Sequence, residues 1–457
     1  MEKSMQFKIK PILAAATLAL ASSNTYALES VNKSLLQAID KKLEAIQPEI
    51  IAVRQDIHQH PELGNREVRT SKLVAERLQK LGLDVKSGVG VTGVVAVLKG
   101  GKPGPVIALR SELDALPVEE KTGLPYASKE RSEYNGENVG VMHACGHDGH
   151  IAILLGVAEA LAANREKLAG TIKFVFQPAE EGPPDGEEGG AALLVKEGVL
   201  ENPRPGAIFM LHVGAGESGN LSITRGPASA SSDHFTAKIT GAQSHGAAPW
   251  RGIDPVPIAA ETILALQQIP SRQVDLVSAP APVISIGRVD GGVRHNIIPE
   301  SISLDGTLRT KSNLQREDVL KRIQRVVEHV SAAHGAKGEF ILDSHHWPAG
   351  YNEPVFVDRV IPSLESAAKA EGKQFKINTI SGYHGEDFWE YGKVIPALAF
   401  GLGVTPPSIP LDKAAGNHSP YFQLDDKALI VGQKAFVRIV LDYFAKGGYD
   451  LPPPQQH

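Results

Sequence analysis

Cysteine is almost absent from this chain, because Cys145 is the only one among 457 residues. A lone cysteine cannot form an intramolecular disulfide, which excludes a small scaffold held together by disulfides. Cys145 lies in the segment 143–150, which reads HACGHDGH. A thiolate and an imidazole two residues apart are good ligands for zinc-like divalent ions, so the segment is a candidate metal site. The alternative is a small buried cysteine in a loop that happens to be rich in histidine.

Runs of lysine and arginine are also absent, and the formal net charge is −5. Nucleic-acid binding therefore lacks electrostatic support. Beyond the N-terminus, no segment approaches the roughly 18 uninterrupted apolar residues of a membrane-spanning helix. We expect no nucleic-acid partner and, once the N-terminal segment is removed, no membrane association.

Residues 1–27 have the pattern of a secretion signal. Lysines precede the apolar run 11–21, and small and polar residues follow it up to Ala27. We expect cleavage near Ala27 and a secreted or periplasmic protein. In an oxidising compartment, metal ligation would also protect a single cysteine.

The remaining length favours two domains. Buried strands alternate with helices over residues 93–211, which predicts an α/β fold with a mostly parallel sheet and helices on both faces. Among these elements we predict a helix over 151–163 and a strand over 207–211. Residues 227–342 show the order β-α-β-β-α-β, typical of a ferredoxin-like α+β domain, and its first helix is predicted over 255–268. Since α/β character returns afterwards, we predict that this domain is inserted between two parts of the main domain, 28–226 and 343–457.

Polar residues at strand ends, or in loops that face the same edge of the predicted sheet, are candidate metal ligands. Their mixed sulfur, nitrogen and oxygen donors are too many for one tetrahedral ion and indicate a two-metal site with an open position. The candidates are Cys145, His147, Glu181, His212 and His418.

Glu180 stands beside the candidate ligand Glu181. A carboxylate next to a metal-activated water can take its proton and later deliver it to a leaving amine. The alternative is a solvated acidic turn, because Glu187 and Glu188 follow in a loop rich in Gly and Pro.

Seven motifs make the chain resemble the dinuclear metal-dependent amidohydrolases that include aminoacylases, hippurate hydrolases and auxin-conjugate hydrolases. These enzymes are relatives of the glutamate carboxypeptidases and succinyl-diaminopimelate desuccinylases. The motifs occur in order over nearly the whole mature chain: DIHQHPELG at 56–64, ALRSELDALP at 108–117, MHACGHD at 142–148, FQPAEE at 176–181, SHGAAP at 244–249, NIIP at 296–299 and HSP at 418–420.

The resemblance implies two divalent ions, either zinc, manganese, nickel or cobalt, that share one bridging thiolate. Cys145 would be the bridge, Glu181 and His418 would complete one ion's ligands, and His147 and His212 the other's.

The resemblance also assigns roles to residues that bind no metal. Glu180 would be the general base and acid, and Asp114 would orient a ligand imidazole. The inserted domain would be the lid and dimerisation domain of a homodimer, and its His245 would polarise the scissile carbonyl in the partner's site. Asn296 and Arg309 would hold the substrate's carboxylate. The alternatives are a loop histidine without a partner for His245 and a surface strand residue for Arg309.

The implied reaction is hydrolysis of the amide bond of an N-acyl amino acid by a metal-activated water. A dipeptidase or carboxypeptidase of the same family is the first alternative, and a non-catalytic metal-binding protein is the second. The cysteine motif favours the acyl-amino-acid branch, because the peptidase relatives usually carry aspartate at the bridge.

Three departures from the family pattern concern the surroundings of the site. Glu112 stands where relatives commonly carry aspartate, and Trp250 stands where many have histidine, which predicts a more apolar rim of the lid. The loop 182–188 is longer than usual and leaves the size of the substrate open.

Overall fold

The computed structural model describes residues 32–277, 279–379 and 381–454. The predicted secretion signal, residues 1–27, lies outside them. Within these ranges, no helix is both long enough and apolar enough to cross a membrane.

Nine α-helices form in the described part of the chain. They are α1 (Lys33–Gln59), α2 (Val68–Lys80), α3 (His147–Ala162), α4 (Gly190–Lys196), α5 (Pro255–Gln268), α6 (Asn313–Ala333), α7 (Pro354–Ala370), α8 (Trp389–Gly392) and α9 (Leu429–Ala445).

The strands are shorter and more numerous. They are β1 (Asp84–Val89), β2 (Gly93–Lys99), β3 (Lys102–Glu112), β4 (Arg131–Tyr134), β5 (Glu137–Gly140), β6 (Ala169–Gln177), β7 (Ile208–Glu217), β8 (Leu221–Thr224), β9 (Gly226–Pro227), β10 (Ser232–Thr240), β11 (Ser244–His245), β12 (Val283–Asp290), β13 (Ile297–Ile298), β14 (Ser301–Arg309), β15 (Lys337–Trp347), β16 (Tyr351–Asn352), β17 (Phe375–Asn378) and β18 (Ala397–Thr405).

An eight-stranded sheet forms the main domain, in the order β1-β2-β6-β3-β7-β18-β8-β17. The pairs β6–β3, β3–β7, β7–β18 and β8–β17 are parallel, whereas β1–β2, β2–β6 and β18–β8 are antiparallel. The predicted mostly parallel sheet is therefore confirmed. The sequence pattern did not indicate β1, because this edge strand is mostly exposed and lacks an apolar run.

Helices cover both faces of the sheet, as predicted. Successive side chains of a strand point to opposite faces. Accordingly, Ile107 and Leu109 of β3 pack in the cluster formed with α1, α3, α7 and α9, whereas Ala108 packs in the cluster that contains α4 and α8.

The inserted domain is a separate antiparallel sheet in the order β12-β14-β10-β15, with its own hydrophobic core. Phe235, Ala237 and Ile239 of β10 alternate with outward-facing residues and pack with α5 and α6. This arrangement confirms the ferredoxin-like order. Strand β15 runs on to Trp347, past the predicted boundary at residue 342, and this extension brings the lid to the main domain.

Two predicted boundaries were wrong next to the candidate ligands. Helix α3 begins at His147 and not at Ile151, since its polar first turn is buried against tertiary partners that the sequence pattern does not reveal. Strand β7 continues beyond Leu211 to Glu217, because pairing with β18 stabilises a stretch rich in glycine.

Candidate active site

Cys145 lies in the turn that leads into α3. Gly146, the next residue, has φ +89°, a left-handed conformation that favours glycine. A Cβ atom at Gly146 would lie 2.4 Å from a methyl carbon of Val213. Glycine therefore lets the chain turn closely against β7 and holds the thiol and His147 near that strand.

The five predicted ligands converge in two groups. Within each group, the donor atoms lie within 4.8 Å of one another. One group is Cys145, His147 and His212, and the other is Cys145, Glu181 and His418. Cys145 belongs to both groups, as a bridging thiolate must.

The orientation of each imidazole decides which nitrogen is available. His147 Nδ1 lies 2.8 Å from the backbone oxygen of Asp114, and His212 Nδ1 lies 2.7 Å from that of Val213. A backbone oxygen can only accept, so both Nδ1 atoms carry the proton and both Nε2 atoms are free to bind a metal. The His212 Nε2 lies 3.5 Å from the Cys145 sulfur.

His150 belongs to the same motif but cannot serve as a ligand. Its Nδ1 lies 2.7 Å from Glu112 Oε2, and its Nε2 accepts a hydrogen bond of 2.8 Å from the Val213 amide. Both nitrogens are used within the protein, so His150 is structural.

Asp114 contacts His147 mainly through its backbone. Its carboxylate Oδ1 is 3.4 Å from His147 Nδ1, farther than the backbone oxygen, and its Oδ2 accepts a hydrogen bond of 2.8 Å from the Glu181 amide. Asp114 therefore contacts both a ligand imidazole and the backbone of the paired glutamates.

The adjacent glutamates have different imidazole contacts, although one oxygen of each lies within 4.8 Å of a His147 nitrogen. Glu180 Oε2 lies 3.8 Å from His147 Nε2, whereas Glu181 Oε1 lies 3.1 Å from His418 Nε2. Glu180 is only 6% exposed, which is incompatible with a solvated acidic turn. One carboxylate thus faces each group of ligands.

The donor set fits divalent cations. His147 Nε2 is buried and has no hydrogen-bond partner among the described residues, an arrangement that is unfavourable unless an ion is bound. Sulfur, imidazole and carboxylate donors in one cluster match the preferences of zinc-like ions.

The negative groups of this cluster attract positive charge, because the pKa values of Glu180, His147 and His418 are all raised. Burial and the nearby Glu386 hold the pKa of the Glu180 carboxyl well above its ordinary value. Burial also lowers the pKa of His212, which keeps this imidazole neutral, the form that a metal binds. Hydrogen bonds to Cys145 and Glu181 raise the pKa of His418 to about 10.

A buried charged network behind the ligands was missed by the sequence reasoning. The Arg110 guanidinium is fully buried and contacts three carboxylates, those of Glu112, Glu386 (3.0 Å) and Asp387 (2.8 Å). The two acids from the distant segment 386–387 carry no recognisable motif spacing. Their position between Gly385 and two aromatic residues is the one available sign of burial.

A cavity of about 1060 Å³ opens beside the ligands. Cys145, Glu180, His212 and His418 line it, as does the predicted carboxylate-binding residue Arg309. The Arg309 side chain forms no ion pair or hydrogen bond with the described residues, and burial lowers its pKa. Its guanidinium is therefore available to an anionic group of a ligand.

The floor of the cavity is one face of the main sheet. Gly401 of β18 lies opposite His212 of β7 and opposite Ser222 of β8, and Ser222 lies opposite Lys376 of β17. Side chains in such a row share a face, and three strand spacings span about 14 Å. The small residues Gly401 and Ser222 thus separate the ligand His212 from Lys376 along this face of the sheet.

Two predicted site residues lie elsewhere in the described part of a single chain. His245 and Asn296 are exposed neighbours on the lid, where the Gly246 amide donates a hydrogen bond of 2.9 Å to the Asn296 oxygen. Neither lines the cavity that contains the described metal ligands. One chain alone does not bring them to these ligands.

Comparison with known proteins places this architecture in a family. The model of "Peptidase family M20/M25/M40" matches residues 108–442. The chain is 35% identical to thermostable carboxypeptidase 1 of Saccharolobus solfataricus, over 90% of this chain and 100% of that protein. It is 37% identical to an N-acyl-L-amino acid amidohydrolase of Geobacillus stearothermophilus, over 69% of this chain and 82% of that protein.

A solved structure extends the similarity to three dimensions. The crystal structure of a dinuclear metal-binding peptidase of the M20 family from Bacillus subtilis superposes with a TM-score of 0.70 at 33% identity. The match covers 88% of this chain and 99% of that one. Sequence, fold and ligand geometry therefore agree, and the chain belongs to the M20 peptidase family as a metal-dependent amidohydrolase or peptidase.

Proposed function

We propose that this protein hydrolyses the amide bond of N-acyl amino acids and uses two divalent ions that share Cys145. The observation that carries the proposal is the pair of ligand groups joined at this thiol, with the Glu180 carboxylate beside His147. The similarity to an N-acyl-L-amino acid amidohydrolase supports the choice of substrate.

Two divalent ions in this site would polarise the scissile carbonyl and make water a better nucleophile. Nearby cations would favour the ionised form of Glu180. The Glu180 carboxylate takes a proton from the attacking water and returns it to the leaving nitrogen. The half-buried Arg309 guanidinium binds the substrate's carboxylate, since it forms no ion pair with the described residues and the nearby Asp233 only partly offsets the effect of burial on its pKa. The acyl group then lies on the floor that extends from His212.

His245 and Asn296 enter the mechanism only through a second subunit in this proposal. Both are exposed on the lid and close to each other, so they can serve the site of a partner in a homodimer. His245 would then polarise the carbonyl, and Asn296 would assist Arg309.

Export is the remaining part of the proposal. It rests on the pattern of residues 1–27, and cell fractionation with an antibody against the protein tests it. Finding the uncleaved chain in the cytosol would contradict it.

A substrate panel tests the catalytic proposal. Purified protein, loaded separately with zinc, manganese, nickel and cobalt, is assayed for free amino acid released from N-acetyl and N-benzoyl amino acids and from dipeptides. We expect release from acyl amino acids that a chelator abolishes and added metal restores. No release from any acyl amino acid with any of the four metals would overturn the proposal.

A carboxypeptidase or dipeptidase is the second candidate. It is favoured by the 35% identity to a carboxypeptidase along that relative's entire length. Preferential cleavage of dipeptides in the same panel would identify this activity.

A further inference from the structure

The backbone that carries the paired glutamates leaves regular secondary structure. Strand β6 ends at Gln177, and Glu180 and Glu181 follow in the turn behind it. Ala179, directly before them, has φ +51°, a left-handed conformation that is unfavourable for a residue with a Cβ atom. Such a turn persists only when surrounding groups fix it.

Three successive residues of this turn are fixed by hydrogen bonds from side chains. Two of these side chains, from the main domain, are buried carboxylates, and the third is an indole from the lid. The bonds join the Ala179 amide to Glu67 Oε1 (2.8 Å), the Glu181 amide to Asp114 Oδ2 (2.8 Å) and the Trp347 indole N–H to the Glu180 carbonyl oxygen (3.1 Å).

Trp347 is the last residue of β15, where it pairs with Ser232 of β10. It lines the cavity, and a Cβ atom at Gly385 would lie 3.6 Å from the Trp347 Cβ and 3.4 Å from an Arg309 nitrogen. Trp347 and Arg309 therefore stand side by side on the lid's wall of the cavity.

A second contact from the same strand reaches the far end of the loop. His345 lies two residues before Trp347, and its Nε2 is 3.1 Å from the backbone oxygen of Glu187. One lid strand thus contacts the segment 180–187 at both ends. The long loop 182–188, whose role the sequence left open, therefore contacts strand β15 of the lid.

We propose that Trp347 is a positioning residue: its indole N–H fixes the backbone of Glu180 and thereby couples the placement of the general base to the placement of the lid. This inference rests on the proposed role of Glu180 in amide hydrolysis. A base that is displaced by about 1 Å loses much of its efficiency, because proton transfer requires hydrogen-bond geometry. When the lid is in place, the same wall presents Arg309 to the substrate and holds Glu180 toward His147.

The test compares Trp347→Phe with Trp389→Phe. The first removes the N–H that bonds Glu180. The second is a matched control, because Trp389 also lines the cavity but its buried indole nitrogen has no hydrogen-bond partner among the described residues. With the acyl amino acid that wild type cleaves best, we expect Trp347→Phe to lower kcat at least about tenfold and to change KM less than about threefold. Metal content and Tm stay near wild type, and the control keeps its kcat.

A double-mutant cycle separates positioning from a general structural effect. If Trp347 acts through the Glu180 carboxylate, Trp347→Phe has little further effect once Glu180→Gln has removed that carboxylate. Equal fold losses in both backgrounds would overturn the inference, as would an unchanged kcat in Trp347→Phe.

If Trp347→Phe fails to fold or to bind metal, a second variant tests the same inference. Replacement of Trp347 by 3-benzothienylalanine keeps the bicyclic shape and removes only the N–H, and the same drop in kcat is expected. If wild type is active and the benzothienyl variant has the same kcat, the positioning role of Trp347 is refuted, but the proposed function is not. Inactivity of wild type on the whole panel refutes the proposed function instead.

Discussion

At the scale of single residues, the position of Cys145 decides the metal chemistry. Its sulfur lies 3.5 Å from His212 Nε2 and belongs to both ligand groups, yet the residue is only 6% exposed. A thiolate shared by two ions would be shielded both by the protein and by the metal.

We therefore predict that Cys145 reacts slowly with thiol reagents until metal is removed. Labelling with a thiol-reactive chromophore should accelerate after chelation and slow again when zinc is restored. Cys145→Ser should lose metal and activity together, whereas Cys145→Asp keeps part of both, because a carboxylate can also bridge two ions. Equal labelling rates with and without chelator would contradict the ligand role.

A second prediction compares the neighbouring residues Glu180 and Glu181, to which different roles are assigned. Glu180→Gln should leave the metal content near that of wild type and lower turnover by about two to four orders of magnitude, the usual cost of a lost general acid-base group. Glu181→Gln should lower the metal content, since its carboxylate lies in a ligand group with Cys145 and His418. Metal analysis beside kcat measurements distinguishes the two. Equal metal loss in both variants would argue against this division of roles.

At the scale of elements, a buried ion pair joins α1 to the first turn of α3, which carries the ligand His147. His58 Nδ1 lies 2.9 Å from Asp148 Oδ2, and its Nε2 lies 3.2 Å from Glu120 Oε1. Burial disfavours the imidazolium, but the carboxylates of Asp148 and Glu120 together outweigh this effect, and the pKa of His58 rises to about 9. The pair thus holds in place the turn that follows Cys145.

This pair makes a prediction about stability and pH. The folded pKa of His58 exceeds the ordinary value of about 6.5, so protonated His58 stabilises the fold fully below pH 6.5. That stabilisation, on the order of 3 kcal/mol, is lost as pH rises through about 9.

Thermal unfolding of wild type and His58→Gln between pH 6 and pH 10 measures the effect. The advantage of wild type in Tm should be largest near pH 6 and shrink toward pH 10. His60→Gln is the control, because His60 is partly exposed. A difference in Tm between wild type and His58→Gln that does not depend on pH would refute the assignment.

At the scale of the whole molecule, the lid carries two kinds of predicted site residue. Arg309 lines the cavity of its own chain, whereas His245 and Asn296 are exposed and lie outside it in the described residues. A homodimer in which each lid serves the partner's site would bring the second kind to the metal ligands.

Subunit exchange tests this arrangement. Glu180→Ala and His245→Ala proteins should each be nearly inactive. After exchange, about half of the dimers are heterodimers, and one of their two sites combines an intact Glu180 with the partner's intact His245. Activity should recover to about a quarter of wild type. Native mass spectrometry of differently tagged subunits verifies the exchange, and inactive heterodimers would show that His245 does not act across the dimer.

The sequence alone determined the elements that rest on local periodicity and composition. The helix predicted at Pro255–Gln268 has those bounds in the structure, and the order β-α-β-β-α-β of the inserted domain is confirmed. The candidate ligands were recognisable because metal binding requires particular donor atoms. Only a few residue types carry these atoms, and the motifs contain those residue types.

Only the tertiary structure decided what surrounds those ligands. Trp347 and Glu386 approach Glu180 from segments more than 160 residues away, and no local pattern encodes such a contact. The start of α3 and the end of β7 also depend on long-range partners, which bury polar or flexible stretches that local propensity would leave irregular. Periodicity reports which face of an element is buried, whereas the identity of its neighbour is set when distant segments pack together.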